Sequence, residues 1–402
     1  MARLRSNKVR LAALTGLATA ALVGASTALP AQAAPAEGRV LAAGSPDAVK
    51  DSYIVTLKKD AGFTASSASG RGLIKKYGGT VKRTYRAALD GYAATLSAAE
   101  ARRLAADPSV ASVEQDRVVR AADTTQSGAP WGLDRIDQTS LPLSGTYTYP
   151  DSAGSGVTAY VIDTGVRITH AQISGRASYG YDAVDGDTTA SDGNGHGTHV
   201  ATTIAGSTYG VAKRARIVAV RVLNNSGSGT TAGVVAGIDW VTANHSGPSV
   251  ANLSLGGGVS TALDTAVRNS IAGGVTYAVA AGNSNSNASS FSPARVTEAL
   301  TVGATTNTDA RASYSNYGSV LDVFAPGSSI TAGWNTSDTA TNTISGTSMA
   351  TPHVAGAAAV YLANHTSATP AQVATALVNG ATTGKVTSPG SGSPNRLLKI
   401  VP

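Results

Sequence analysis

Gly346-Thr347-Ser348-Met349-Ala350-Thr351-Pro352-His353-Val354-Ala355-Gly356 opens a run of small and apolar residues that continues to Ala363. Such a run is buried if it is helical, and Ser348 then stands at the helix N-terminus, where free N–H groups point outward and the dipole favours negative charge. That setting suits a serine whose acyl transfer passes through an oxyanion. It suits a capping serine on a core helix equally well, so the reading turns on whether a base and an orienting acid exist elsewhere. Pro352 is tolerated if it falls within about the first turn, where its missing N–H costs little.

Both partners lie upstream. Val157-Thr158-Ala159-Tyr160-Val161-Ile162 reads as a buried strand ending on Asp163-Thr164-Gly165, which puts a carboxylate where an open α/β sheet presents its chemistry. Asn194-Gly195-His196-Gly197-Thr198-His199-Val200-Ala201 is a glycine-rich loop entering an apolar helix. Further on, Arg216 to Leu223, Ser249 to Ser254, Val275 to Ala280, Ala299 to Gly303 and Val320 to Phe324 read as strands alternating with helices or loops, among them Thr230 to His245. Alternation of this kind predicts an α/β fold with a parallel sheet covered on both faces.

The order Asp163, His196, Ser348 is that of subtilisin, and at these segments the chain resembles the subtilisin-like serine proteases, or subtilases, of the proteinase K and aqualysin branch. The resemblance extends over Ala129-Pro130-Trp131-Gly132-Leu133-Asp134-Arg135-Ile136, Asn252-Leu253-Ser254-Leu255-Gly256-Gly257, Ala280-Ala281-Gly282-Asn283 and Ser315-Asn316-Tyr317-Gly318, and so over nearly all of residues 129 to 356. It implies a three-layer subtilisin-like fold and a Ser-His-Asp triad of Ser348, His196 and Asp163. It also assigns the base to His196 rather than His199. Zinc held by this histidine pair is disfavoured, since no acidic or cysteine ligand with zinc-site spacing follows. His353 reads as a core residue, and His170, His245 and His365 as surface.

Asn283 is implied as an oxyanion donor beside the Ser348 N–H; the alternative is an ordinary turn asparagine. The glycine-rich segments around Ser226-Gly227 and Ser254-Leu255-Gly256 would leave strand edges bare for backbone pairing with an extended peptide. A pocket around Gly256 and Ala281-Gly282 carries no charge in its motif, so apolar or aromatic side chains are expected there and broad specificity elsewhere. Structural calcium is implied at the carbonyls of Thr297 and Ala299 with Asp322, and at a second place around Asp134 and Asp137; oxygen ligands on flexible loops suit that ion. Asp185, Asp187 and Asp192 form either a third site or a solvated acidic loop. One departure stands out: the usual glycine four residues before Gly206 is Thr202 here, which leaves the local helix packing open.

The chain has 402 residues and no cysteine, so disulfides do not stabilise it. Its net charge of +7 is uneven: residues 1 to 123 hold 18 Lys and Arg against 10 Asp and Glu, residues 124 to 402 hold 13 against 14. The basic excess lies outside the large domain, which speaks against a nucleic-acid partner. Arg3, Arg5, Lys8 and Arg10 precede an apolar stretch from Leu11 to Leu29 that ends at Ala31-Gln32-Ala33, a secretory signal peptide cleaved after Ala33. A secreted, monomeric protein with no membrane anchor is expected after cleavage.

Residues 34 to 123 read as a separate small domain, compact over about 51 to 119. Ala34 to Lys50 reads as a flexible arm. Then come a strand at Tyr53 to Leu57, a helix at Ala61 to Tyr77, strands at Thr80 to Arg86 and Tyr92 to Leu96, a helix after Ser97-Ala98-Ala99-Glu100 with capping-box spacing, and a strand at Val110 to Val119. This βαββαβ order is an α+β ferredoxin-like unit. Its place ahead of residues 124 to 402 resembles the subtilase propeptide, which assists folding and then inhibits. Gln115 to Ser127 should be the exposed linker; the resemblance of Thr125 to Trp131 to the aqualysin-type mature start implies a cut near Asp123-Thr124, within the range from Val119 to Thr125.

Overall fold

The computed structural model describes residues 35–45, 48–117 and 123–401; the leader, and with it the signal-peptide reading, lies outside the described residues. The chain forms two compact units, Met1–Arg120 and Ala121–Pro402.

In the first unit the strands Ala48–Leu57, Thr80–Tyr85, Gly91–Thr95 and Val110–Arg117 and the helices Ala68–Lys76 and Ala98–Ala105 follow the βαββαβ order. Across the sheet, Val110–Arg117 lies beside Ala48–Leu57, then Gly91–Thr95, then Thr80–Tyr85, all antiparallel. Ser97 and Glu100 form the capping box reciprocally, as the spacing predicts. Val55, Ile74, Tyr92, Leu104 and Val113 close a small core. Two expectations are corrected here. The arm is not free: Val40–Leu41 pairs in parallel with Val113 and Glu114, and Gly38 N–H donates to Arg102 O at 2.8 Å. The first helix begins only at Ala68, capped by Ser67.

The second unit is built on a nine-stranded sheet. In spatial order its strands are Thr382–Thr383, Arg396–Leu397, Val323–Pro326, Leu300–Thr305, Thr276–Ala280, Ser249–Leu253, Thr158–Asp163, Arg216–Arg221 and Ala177–Asp182. Every neighbouring pair is parallel except the two short strands at the Thr382 edge. The strands Ser249–Leu253, Thr276–Ala280 and Leu300–Thr305 are buried at every position because both faces are covered. Ala159 and Val161 join the core under the helices His196–Ala205, Thr347–Asn364 and Pro370–Gly380; Tyr160 and Ile162 join the opposite core, under Thr231–Asn244 and Thr261–Ala272. Alternation along one strand thus splits the interior into three layers, and places Asp163, the next residue after Ile162, toward the layer that holds the His196 and Ser348 helices.

The expected linker is also corrected. Asp123–Ser127 is a strand paired antiparallel with Thr146–Pro150, inside the second unit, while 115–117 completes the last strand of the first; residues 118–122 lie outside the described residues. A second hairpin, Ile330–Gly333 with Thr341–Ile344, runs directly into the Ser348 helix.

Without disulfides, the large unit uses buried ion pairs. Arg135, fully buried, makes a bidentate pair with Asp309 at 2.7 and 3.0 Å and gives its remaining nitrogen to Gln138 O. Arg221 and Asp182, register partners at the ends of adjacent strands, pair at 2.8 Å. Planar guanidinium forks are suited to such sites because each nitrogen finds an oxygen.

Candidate active site

Asp163 ends its strand wholly buried. Its Oδ1 accepts from the Thr164 N–H and meets His196 Nδ1, both at 2.7 Å, while its Oδ2 is buried with no protein partner among the described residues. His196 is the first residue of its helix and keeps about 24% of its side chain exposed. Burial pulls its pKa down, but the charge of Asp163, the hydrogen bond to it and the more distant charge of Asp192 outweigh that, so the imidazole titrates above its ordinary value of 6.5. His199, one turn on, is fully buried and its Nε2–H donates to Ile330 O at 3.0 Å; burial holds its pKa down to about 4. The two histidines therefore differ as expected, one facing the groove and one packed inside. His353 is likewise buried. His170, read as surface, is buried too, with Nε2 at 2.9 Å from Ala340 O.

The turn into the His196 helix depends on Asp192, which sequence reasoning grouped with the acidic loop. Its Oδ1 accepts from Thr164 Oγ1 and from the N–H groups of Asn194 and Gly195; its Oδ2 accepts from Thr198 N–H and Oγ1. One carboxylate thus ties the residue after Asp163 to the first turn carrying His196. The legible signal was an aspartate placed just ahead of an apolar helix, a capping pattern. Gly195 has φ +114 and lies against the Trp334 ring, so a side chain would fit neither its conformation nor its space.

Ser348 is the second residue of the helix Thr347–Asn364, preceded by Gly346. Pro352 sits deeper than its sequence reading placed it, at the sixth helical position, and so leaves the Ser348 carbonyl without its i+4 donor. Ser254 Oγ fills that vacancy at 2.8 Å, held from behind by Asn252 Nδ2, and Ser348 Oγ returns a bond to Ser254 O at 3.1 Å. Asn283, exposed, uses Oδ1 to accept from both the N–H and the hydroxyl of Thr347 at 2.9 Å. Anchoring the oxygen this way leaves Nδ2 as the donor beside Gly346 and Ser348. Thr347, unmarked in the sequence reading, is thus what orients Asn283.

A cavity of about 270 Å³ is lined by Leu255, Gly256, Ala281, Gly282, Phe291 and Ser348, among others, with no charged side chain. It continues into a larger groove of about 620 Å³ walled by His196, Leu223, Ser228, Gly229, Val234 and Leu263. Ser226 and Gly227 belong to a turn closed by Asn224, whose Oδ1 accepts from the N–H groups of Ser226 and Ser228, so they form a corner of the groove rather than an open strand edge. Ser254 is buried, and its side chain serves Ser348.

The two implied calcium sites differ. Asp322 is half-buried with one hydrogen bond, from Thr301 N–H at 2.8 Å, and burial pushes its carboxyl up to about 6. An under-bonded, desolvated carboxylate beside the Thr297–Ala299 turn fits a hard cation. At the other, Asp134 accepts from Ser144 N–H and Oγ and from Gly145 N–H, while Asp137 accepts from Thr148 N–H and keeps its Oδ1 buried with no protein partner among the described residues. The acidic loop is neutralised in part by protein, Asp182 and Asp185 both meeting Arg221.

Comparison with known proteins agrees with this geometry. Residues 154–397 match the profile of the subtilase family, and residues 52–122 match that of peptidase inhibitor I9. An extracellular serine proteinase of Thermus sp. (strain Rt41A) is 52% identical over 395 residues, 94% of this chain and 96% of that one. Alkaline serine exoprotease A of Vibrio alginolyticus is 51% identical over 364 residues, covering 87% of this chain and 67% of that one. A cold-adapted subtilisin-like serine proteinase of known crystal structure is 57% identical with a TM-score of 0.67, covering 69% of this chain and all of that one. The chain belongs to the subtilase family and is an extracellular serine peptidase made with an inhibitor-type propeptide.

Proposed function

We propose that this peptidase is an endopeptidase in which Ser348 is the nucleophile, His196 the general base and Asp163 its orienting acid. The observation that carries this is the 2.7 Å contact between His196 Nδ1 and the buried Asp163, on the side of the sheet where the helix that bears Ser348 also packs. Ser348 Oγ attacks the scissile carbonyl carbon as its proton passes to His196; His196 then protonates the leaving amine, and the acyl-enzyme is hydrolysed by water along the same path. In this structure Ser348 Oγ donates to Ser254 O at 3.1 Å, and substrate entry turns it to His196, since catalytic hydrogen bonds commonly tighten only on binding. The oxyanion is received by Asn283 Nδ2 and the Ser348 N–H. The uncharged cavity takes apolar or aromatic side chains, and backbone pairing along Ser228–Thr230 and Leu255–Gly256 gives broad specificity.

Residues 34–123 act as the propeptide and 124–402 as a monomeric protease, with self-cleavage near Asp123-Thr124. The Asp123–Ser127 strand ties the new N-terminus to Thr146–Pro150 in a two-stranded sheet of the second unit, and Thr124 Oγ1 donates to Asp151 Oδ1 there. Calcium is held by Asp322 and the Thr297 and Ala299 carbonyls, and its role is structural. Among the described residues no helix is long and apolar enough to cross a membrane.

Five outcomes test this reading. Asn283→Ala should lower kcat by roughly a hundredfold to a thousandfold with KM little changed, the magnitude known for the equivalent loss in subtilisin; an equal change in both constants would make it a binding residue. The pH profile follows from sign: His196 must be neutral to act as base and its pKa is raised, so kcat/KM falls as pH drops through a value above 6.5. Asp192→Asn removes a negative charge that favours the imidazolium, and the acid limb should move to lower pH; a shift upward would contradict the assignment. Excess chelator should lower the thermal midpoint of the wild type but not of Asp322→Ala, because bound calcium stabilises only the folded state. Ser348→Ala, produced in a host without other secreted proteases, should accumulate with residues 34 to 123 still attached, and a mature-size product from that host would refute self-processing.

A further inference from the structure

Thr202 stands on the buried side of the His196 helix, on the same face as His199 and one turn beyond it. Its hydroxyl donates to Thr198 O at 2.8 Å and accepts from the Gly333 N–H at 2.8 Å. Gly333 ends the first strand of the Ile330–Gly333 hairpin, and a side chain there would lie 2.7 Å from the His170 ring and 2.8 Å from Thr202 Cγ2, so only glycine lets the strand come this close. His199 Nε2 makes the neighbouring tie to Ile330 O.

The hairpin's second strand, Thr341–Ile344, pairs with the first from Gly333↔Thr341 to Ile330↔Ile344 and reaches Ser348 four residues later. That short connection is itself fixed, by Ser329 N–H to Ser345 Oγ at 2.8 Å and Gly346 N–H to Gly327 O at 2.9 Å. A rigid path therefore runs from the helix that begins at His196, through the Thr202 hydroxyl, along the hairpin and into the turn that presents Ser348.

We propose that Thr202 is a positioning residue: through its bond to Gly333 it sets the spacing between His196 and Ser348. This rests on the reading of those two residues as base and nucleophile. Thr202 touches neither substrate nor the reacting atoms, and its effect falls on proton transfer from Ser348, not on the groove, whose walls come from other segments. Removing the hydroxyl strands a buried N–H at Gly333 and lets the hairpin shift against the helix. Misplacement of reacting groups by a fraction of an ångström lowers the rate and leaves binding alone.

The test uses the mature enzyme and a small phosphonylating reagent, whose rate reports the base–nucleophile contact without peptide binding. Thr202→Val keeps the shape and loses the hydroxyl; Thr202→Ser keeps the hydroxyl. For Thr202→Val the phosphonylation rate and kcat should each fall about tenfold with KM unchanged, equivalent to about 1.4 kcal/mol, and Thr202→Ser should restore both. If Thr202→Val does not mature, Thr202→Ala, which admits water to the Gly333 N–H, is measured in the same way and should show the same loss in milder form. A variant with a lowered thermal midpoint but an unchanged phosphonylation rate would overturn the proposal and leave Thr202 a packing residue. Peptide mapping separates the premises: label on a residue other than Ser348 in the wild type would refute the triad reading instead.

Discussion

The Ser348 carbonyl has no donor in its own helix because residue 352 is proline, and much of the site's geometry is a response to that one gap. Ser254 Oγ closes it, which brings the end of the strand Ser249–Leu253 against the nucleophile turn. The reciprocal bond from Ser348 Oγ to Ser254 O makes the contact two-sided. A proline in a helix interior ordinarily costs about 3 kcal/mol or more through a lost bond and a steric clash. Here the orphaned carbonyl is satisfied from outside, and the result is a junction between sheet and helix that a regular helix could not form, since its carbonyls would all be taken internally.

Parallel topology does the rest. Because the central strands share one direction, their C-terminal ends meet at one edge, and the residues that follow Ile162, Leu253 and Ala280 all emerge there. Asp163, Ser254 and Asn283 come from three strands, while His196 and Ser348 come from helices packed on the same face. Each polar side chain at this edge is held by a second one: Asp192 fixes the turn before His196, Thr347 orients Asn283 and Asn252 backs Ser254. Among the described residues the Asp163 Oδ2 is buried with no protein partner, as is the Asn252 Oδ1. An acceptor left under-bonded beside an imidazole favours the charged ring, which is the state His196 must reach transiently when it holds the serine proton.

Motif residues and strand alternation were legible before the structure, because glycine turns, buried β-branched runs and a capping box are local signals. Helix boundaries and the inter-unit connection were less so. Asp123-Thr124-Thr125-Gln126-Ser127 is polar and short, and reads as linker until its partner, Tyr147-Thr148-Tyr149, is known to lie beside it; pairing between segments more than twenty residues apart leaves no mark on either alone. Val40–Leu41 was hidden for the same reason. His170 looked like surface because it belongs to no motif, yet it is enclosed by a hairpin more than 160 residues away. Asp134 is the converse case: its place in a resembling segment suggested a cation, and the bonds its carboxylate accepts from Ser144 and Gly145 are contacts that no local signal announced.

Thr202 is where departure from the family pattern carries the most physical content. With glycine, helix and hairpin would meet through van der Waals contact, and the Gly333 N–H would look to solvent or to another group. With threonine, the hydroxyl serves as donor within the helix and acceptor across the junction, so one oxygen joins two elements that each present a reacting residue. In a protein with no cysteine, such side-chain crossties, together with the Arg135–Asp309 and Arg221–Asp182 pairs, join segments distant in sequence without covalent links. They differ from disulfides in one respect that bears on catalysis: each also fixes the direction of a backbone group, and so determines orientation as well as distance.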